Sequence, residues 1–136
     1  MNVIEAEEQP FRQFNPTQEQ TMKYMLMIYG NEAGQAAAPA AATQEMMAAY
    51  GAYSQALVQA GVMVGGERLK PSSTATRVST AAGKTQVLDG PYAESKEQLG
   101  GYYMIEVKDL DQALTWAARC PGSQHGTVEV RPIWEM

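Results

Sequence analysis

The sequence predicts an α+β fold: an antiparallel sheet of βαββαβ order with an added hairpin, and two helices on one face. Two observations carry this. Short β-competent apolar runs alternate with two stretches of helical period, in the order strand, helix, strand, hairpin, strand, helix, strand. At 136 residues the chain fits one domain, which can bury a sufficient core without metals or disulfides.

Residues 1–21 are polar, carry Pro10 and Pro16, and show neither period, so they read as an irregular arm ahead of a domain spanning 22–136. Lys23 to Tyr29 is a strand that is apolar on both faces, Tyr24, Leu26 and Ile28 on one and Met25, Met27 and Tyr29 on the other. Gly30, Gly34 and Pro39 break the alanine-rich segment that follows, which reads as a flexible loop. Thr43 is expected to cap a helix whose stripe is Met46, Tyr50, Tyr53, Leu57 and Ala60, closed by Gly61. Val62 to Lys70 reads as a strand in which Gly65 and Gly66 admit a bulge or a close backbone approach. Ala75 to Thr80 and Lys84 to Leu88 form the hairpin, with Ala81, Ala82 and Gly83 as a three-residue loop. Gly101 to Val107 is a strand with Tyr103, Ile105 and Val107 on its more apolar face. Asp109 caps a second helix with the stripe Leu110, Ala113, Leu114, Ala117 and Ala118, stopped at Pro121-Gly122. Thr127 to Ile133 is the last strand.

Two helices cover one face of such a ferredoxin-like sheet, yet the first strand is apolar on both sides. A bare apolar patch of that kind is expected to find a partner, here a second copy of the chain in a homodimer. The formal charge of −5, with ten scattered basic residues, argues against nucleic acid. No apolar run approaches the ~20 residues that span a bilayer, so no membrane is expected, and a single cysteine with no cleavable leader points to the cytoplasm. There is no glycine-rich nucleotide loop, zinc spacing or nucleophile elbow, so neither metal nor nucleotide cofactor is expected.

The stretch Asp89-Gly90-Pro91-Tyr92 followed by Ala93-Glu94-Ser95-Lys96-Glu97-Gln98-Leu99-Gly100-Gly101-Tyr102-Tyr103 closely resembles the motif of YCII-related proteins of the DGPF subgroup. Further matches lie at Val62 to Leu69, Asp109 to Ala117 and Gly126 to Ile133, so the likeness runs from about Met22 to Ile133. The resemblance implies a ferredoxin-like fold paired into a dimeric α/β barrel. It also implies a His and Asp pair for acid/base work in an interface cleft, and one branch resembles a chloride-eliminating lyase. The aspartate maps onto Asp89, but the first helix, where the histidine of those relatives belongs, contains none. Tyr92 replaces the usual Phe. Other DGPF proteins look linked to alternative sigma factors, which would imply a regulatory role.

Asp89 heads a turn in which its carboxylate can accept backbone N–H bonds, or it lines a cleft as a general acid or base. His125, the sole histidine, is either a solvated loop residue or the proton shuttle that meets Asp89 across subunits. Arg68 could pair bidentately with a carboxylate ligand, and Arg77 and Arg131 share its strand setting. The phenols of Tyr50 and Tyr92 could orient a polar substrate, while Tyr53, Tyr102, Tyr103 and Trp134 read as core or interface material. Cys120, at a helix C-terminus, lacks an activating dipole. Two functions remain open: acid/base chemistry of lyase or isomerase kind on a small organic acid at Asp89, and a non-catalytic binding or regulatory module.

Overall fold

The computed structural model describes residues 20–92 and 95–135. All but the last two residues of the expected N-terminal arm lie outside them. In chain order the elements are β1 (Met22–Gly30), α1 (Glu32–Ala37), α2 (Ala40–Gln59), β2 (Met63–Arg68), β3 (Thr76–Ala81), β4 (Lys84–Asp89), β5 (Gln98–Val107), α3 (Leu110–Arg119) and β6 (Thr127–Pro132). Short 3-10 helices precede β3 at Ser72–Thr74 and β6 at Pro121–Gln124.

The alternation along β1 and β5 decides where the core lies. Cross-strand partners Tyr24 and Ile105, and Leu26 and Tyr103, share one face of the sheet and are buried there. Val107 of β5, Tyr53 and Leu57 of α2 and Ala113, Ala117 and Cys120 at α3 complete the core among the described residues. The four-stranded sheet runs β2-β5-β1-β6 with every neighbouring pair antiparallel, an arrangement consistent with a ferredoxin-like fold. The hairpin β3-β4 is a separate two-stranded sheet.

The other face of the large sheet carries Met25 opposite Met104 and Met27 opposite Tyr102, all half-buried and none part of the core. Lys23 opposite Glu106, and Glu129 and Arg131 of β6, flank this apolar centre with both signs of charge.

The close approach of β2 and β5 rests on glycines, as the sequence suggested. The register slips between Met63 and Gly65, a bulge, and a Cβ on Gly66 would lie 2.8 Å from the Tyr102 carbonyl oxygen. Asp109 caps α3 as expected, its carboxylate accepting from the Gln112 N–H at 3.0 Å.

Four expectations change. The segment after Gly30 is helical: Asn31 caps α1 by accepting from the Gly34 N–H at 2.6 Å, so the glycine sits where the cap needs a backbone donor. Pro39 is the N-cap of α2, where its missing N–H is no loss, so the helix starts at Ala40. Thr43 therefore lies in the first turn, its hydroxyl turned back to the Pro39 carbonyl at 3.5 Å. The hairpin loop has two residues, because Ala81 pairs with Lys84 and only Ala82 and Gly83 take positive φ, 52° and 77°. Leu110, Leu114 and Ala118 are exposed, and α3 buries Ala113 and Ala117 with Trp116 partly covered beside them.

Candidate functional site

The pairings gather one end of the sheet. The C-terminal ends of β1 and β2 meet the N-terminal ends of β5 and β6, since Gly30 pairs with Gln98, Arg68 with Gly101 and Tyr29 with Thr127. Polar side chains stitch this end together. The Thr127 hydroxyl donates to Glu97 at 3.0 Å. The Glu32 N–H donates to the Gln98 side-chain carbonyl at 3.0 Å, and the Gln98 amide donates in turn to the Ser95 carbonyl. The Glu32 carboxylate accepts from both the Ser72 N–H, 2.8 Å, and the Ser72 hydroxyl, 2.6 Å.

Beneath this end, α2 and the Pro121–Gln124 turn enclose a set of hydroxyls. Tyr50, half-buried, lies beside the Cys120 thiol, and Gly122 sits so close that a Cβ there would be 2.6 Å from the Tyr50 hydroxyl. Burial first, and the neighbouring thiol second, hold the Tyr50 phenol far above its ordinary range. The Tyr53 phenol is raised likewise by burial and donates to the Trp116 carbonyl at 2.7 Å. The Tyr103 and Ser54 hydroxyls are 2.6 Å apart. Burial also pushes the Cys120 thiol up, opposed by the Gly122 backbone, which makes it a poor nucleophile. These groups remain neutral around neutral pH and can donate or accept hydrogen bonds without ionising.

The residues singled out from sequence fall in three places. Tyr50 faces the core side of α2, and Arg68 lies over the same helix one turn earlier, with Nη1 3.5 Å from the Met47 sulfur. Among the described residues Arg68 has no carboxylate partner, whereas Arg131 is paired with Glu129 at 2.9 Å. Asp89 ends β4 opposite Thr76 and is exposed. Its side chain takes no hydrogen bond among the described residues, and Pro91, two positions on, has no N–H to offer. The turn there is held instead by the Gly90 N–H donating to the Ala75 carbonyl at 2.7 Å. Tyr92 is 88% exposed, and its carbonyl accepts from Arg77 at 3.5 Å. His125 is exposed in the loop before β6.

Nothing joins Asp89 to His125 within one chain among the described residues. Arg68 and Thr127 stand on opposite edges of the sheet, three strand spacings or about 14 Å apart, with the hairpin following β2 and His125 preceding β6. Trp134, expected in the core or an interface, is exposed in the single chain.

Sequence reading missed Glu32, Ser72 and Gln98. Glu32 lay in a segment read as loop, and the signal that could have found it was Asn31 ahead of an acidic residue, a helix start. Arg77 is the other polar side chain of note, its Nε shielded and without an acceptor among the described residues.

The family model of the YCII-related domain matches residues 22–136. An uncharacterized protein of Rhizobium meliloti (strain 1021) is 35% identical over 114 residues, which span 82% of this chain and 92% of that protein.

Proposed function

The chain belongs to the YCII-related domain family, and from that premise we propose that it is a homodimer that binds a small organic acid near the sheet end and the β3-β4 hairpin. The observation that favours binding over turnover is the setting of Asp89, exposed and without a hydrogen-bonded titratable partner among the described residues. A general acid or base must come within ~2.6–3.2 Å of the proton it moves. Lyase- or isomerase-like chemistry would need a second proton-transfer group at Asp89, either His125 reaching it across the dimer or Tyr92. The Arg68 guanidinium, without a carboxylate partner among the described residues, supports an acidic ligand, because its fork matches a carboxylate bidentately. Tyr50 supplies a neutral, half-buried phenol on the helix that Arg68 overlies, and Tyr92 an exposed one on the hairpin exit. Membership in the DGPF subgroup, and a regulatory role linked to alternative sigma factors, form the second reading, which the same exposure of Asp89 and Tyr92 favours.

The ligand reading is tested by thermal shift with malonate and benzoate on wild type, Arg68→Gln and Asp89→Asn. A ligand at 100 times its Kd adds about 2.7 kcal/mol to the native state. Wild type is expected to gain several degrees, Arg68→Gln to lose the gain, and Asp89→Asn to keep part of it. Absence of any shift in wild type across the acids would sink the ligand and leave the regulatory reading.

The dimer is proposed to form through the face that carries Met25, Met27, Tyr102 and Met104. Light scattering is expected to give twice the chain mass for wild type and a single chain mass for Met25→Lys, because an ammonium buried opposite Met104 and Arg131, with no carboxylate across either strand, is strongly disfavoured. A monomeric wild type at tens of micromolar would refute it.

A further inference from the structure

An isolated two-stranded hairpin is marginal in water, and among the described residues β3-β4 pairs with no other strand. Apart from Arg77, every residue of both strands is exposed. The hairpin nevertheless carries Asp89 at its end and leads directly into Tyr92. Its position must therefore come from the two chain segments that join it to the large sheet. One residue is linked to both, by its side chain to the first and by its backbone, through Gln98, to the second. Glu32 grips the entry segment through two bonds from Ser72, and its own N–H is held by Gln98, which also binds Ser95 on the exit segment.

We infer that Glu32 is a clasp, a positioning residue that fixes the hairpin, and with it Asp89 and Tyr92, against the end of the sheet. The carboxylate is suited to this because an ionised acceptor makes bonds about twice as strong as a neutral one. Ser72 presents two donors side by side, so the grip is directional as well as strong. Glu32 touches no ligand in this scheme. Its effect on ligand binding rests on the proposed function, whereas the clasp itself does not.

The test is hydrogen exchange on wild type, Glu32→Gln, Ser72→Ala and the double variant, without ligand. Hydrogen bonds to charged groups contribute about 1.5–3 kcal/mol, so Glu32→Gln is expected to speed exchange of the hairpin amides and of Gly90 by roughly 10- to 100-fold. Amides of Leu26 and Ile105 should keep their wild-type rates. The double variant should exchange little faster than Glu32→Gln alone, because both substitutions remove one interaction. Glu32→Asp, which keeps the charge but is one methylene shorter, should fall between wild type and Glu32→Gln. Unchanged hairpin exchange, or equal acceleration in hairpin and core, overturns the clasp. Adding malonate separates the two ideas: a clasp confirmed by exchange in a protein that binds no acid stands without the ligand reading.

Discussion

Replacing Leu57 by alanine is expected to lower the free energy of unfolding by about 2–5 kcal/mol, the range for a buried leucine truncated in a packed core. Leu57 is completely buried in α2 and belongs to the core cluster, facing the sheet with Tyr53 one turn earlier. The loss has two parts: methyl groups withdrawn from an apolar surrounding, and the void left where helix and sheet cannot close in. A domain holds only ~5–15 kcal/mol of stability in all, so the variant should unfold at much lower denaturant with an unchanged slope. Val58 is the internal control. It is the next residue on the same helix, 60% exposed, and Val58→Ala should change stability by no more than about 0.5 kcal/mol. Equal midpoints for the two variants would mean that α2 does not pack as described.

That contrast was legible in the sequence, since the period of Met46, Tyr50, Tyr53, Leu57 and Ala60 marks the face of α2 on which Tyr53 and Leu57 are buried, although Ala60 at its end is exposed. The same reading held only in part on α3. Ala113 and Ala117 of the expected stripe are buried, while Leu110 and Leu114 lie exposed on the flank of the helix. An apolar stripe read by residue type does not distinguish these outcomes. Pro39 misled in a similar way: a proline breaks a helix interior, yet at an N-cap it separates two helices and harms neither.

The candidate site was legible as separate parts only. Arg68 and Tyr50 were picked out from residue type, and both reach α2 at the sheet end. The motif beginning at Asp89 identified the family, but what holds that segment in place is contributed by Glu32, some sixty residues earlier in a stretch with no strong pattern. Contacts between distant short segments leave no periodic trace in a sequence. The strand order that puts His125 and Arg68 on opposite edges is likewise a property of topology, not of either residue.

Replacing Gly126 by alanine should destabilise the protein by at least the ~1–3 kcal/mol typical of overpacking. Gly126 precedes β6 and lies against the end of β1. An added Cβ would overlap the Tyr29 carbonyl oxygen and come within 3.2 Å of the Gly30 Cα. Both obstacles are backbone, so no side chain can swing aside. Relief requires β6 to move off β1 where Tyr29 pairs with Thr127, which loosens the start of an edge strand and the loop that carries His125. Gly51 gives the opposite sign. It lies within α2 with nothing inside 4 Å of its added Cβ, so Gly51→Ala should stabilise by about 0.5–1 kcal/mol by removing backbone freedom from the unfolded chain. Denaturation of both variants beside wild type, with exchange at Thr127 and Val128 as the local readout, decides the matter. A Gly126→Ala protein as stable as wild type would show that the edge between β1 and β6 has slack the structure does not contain.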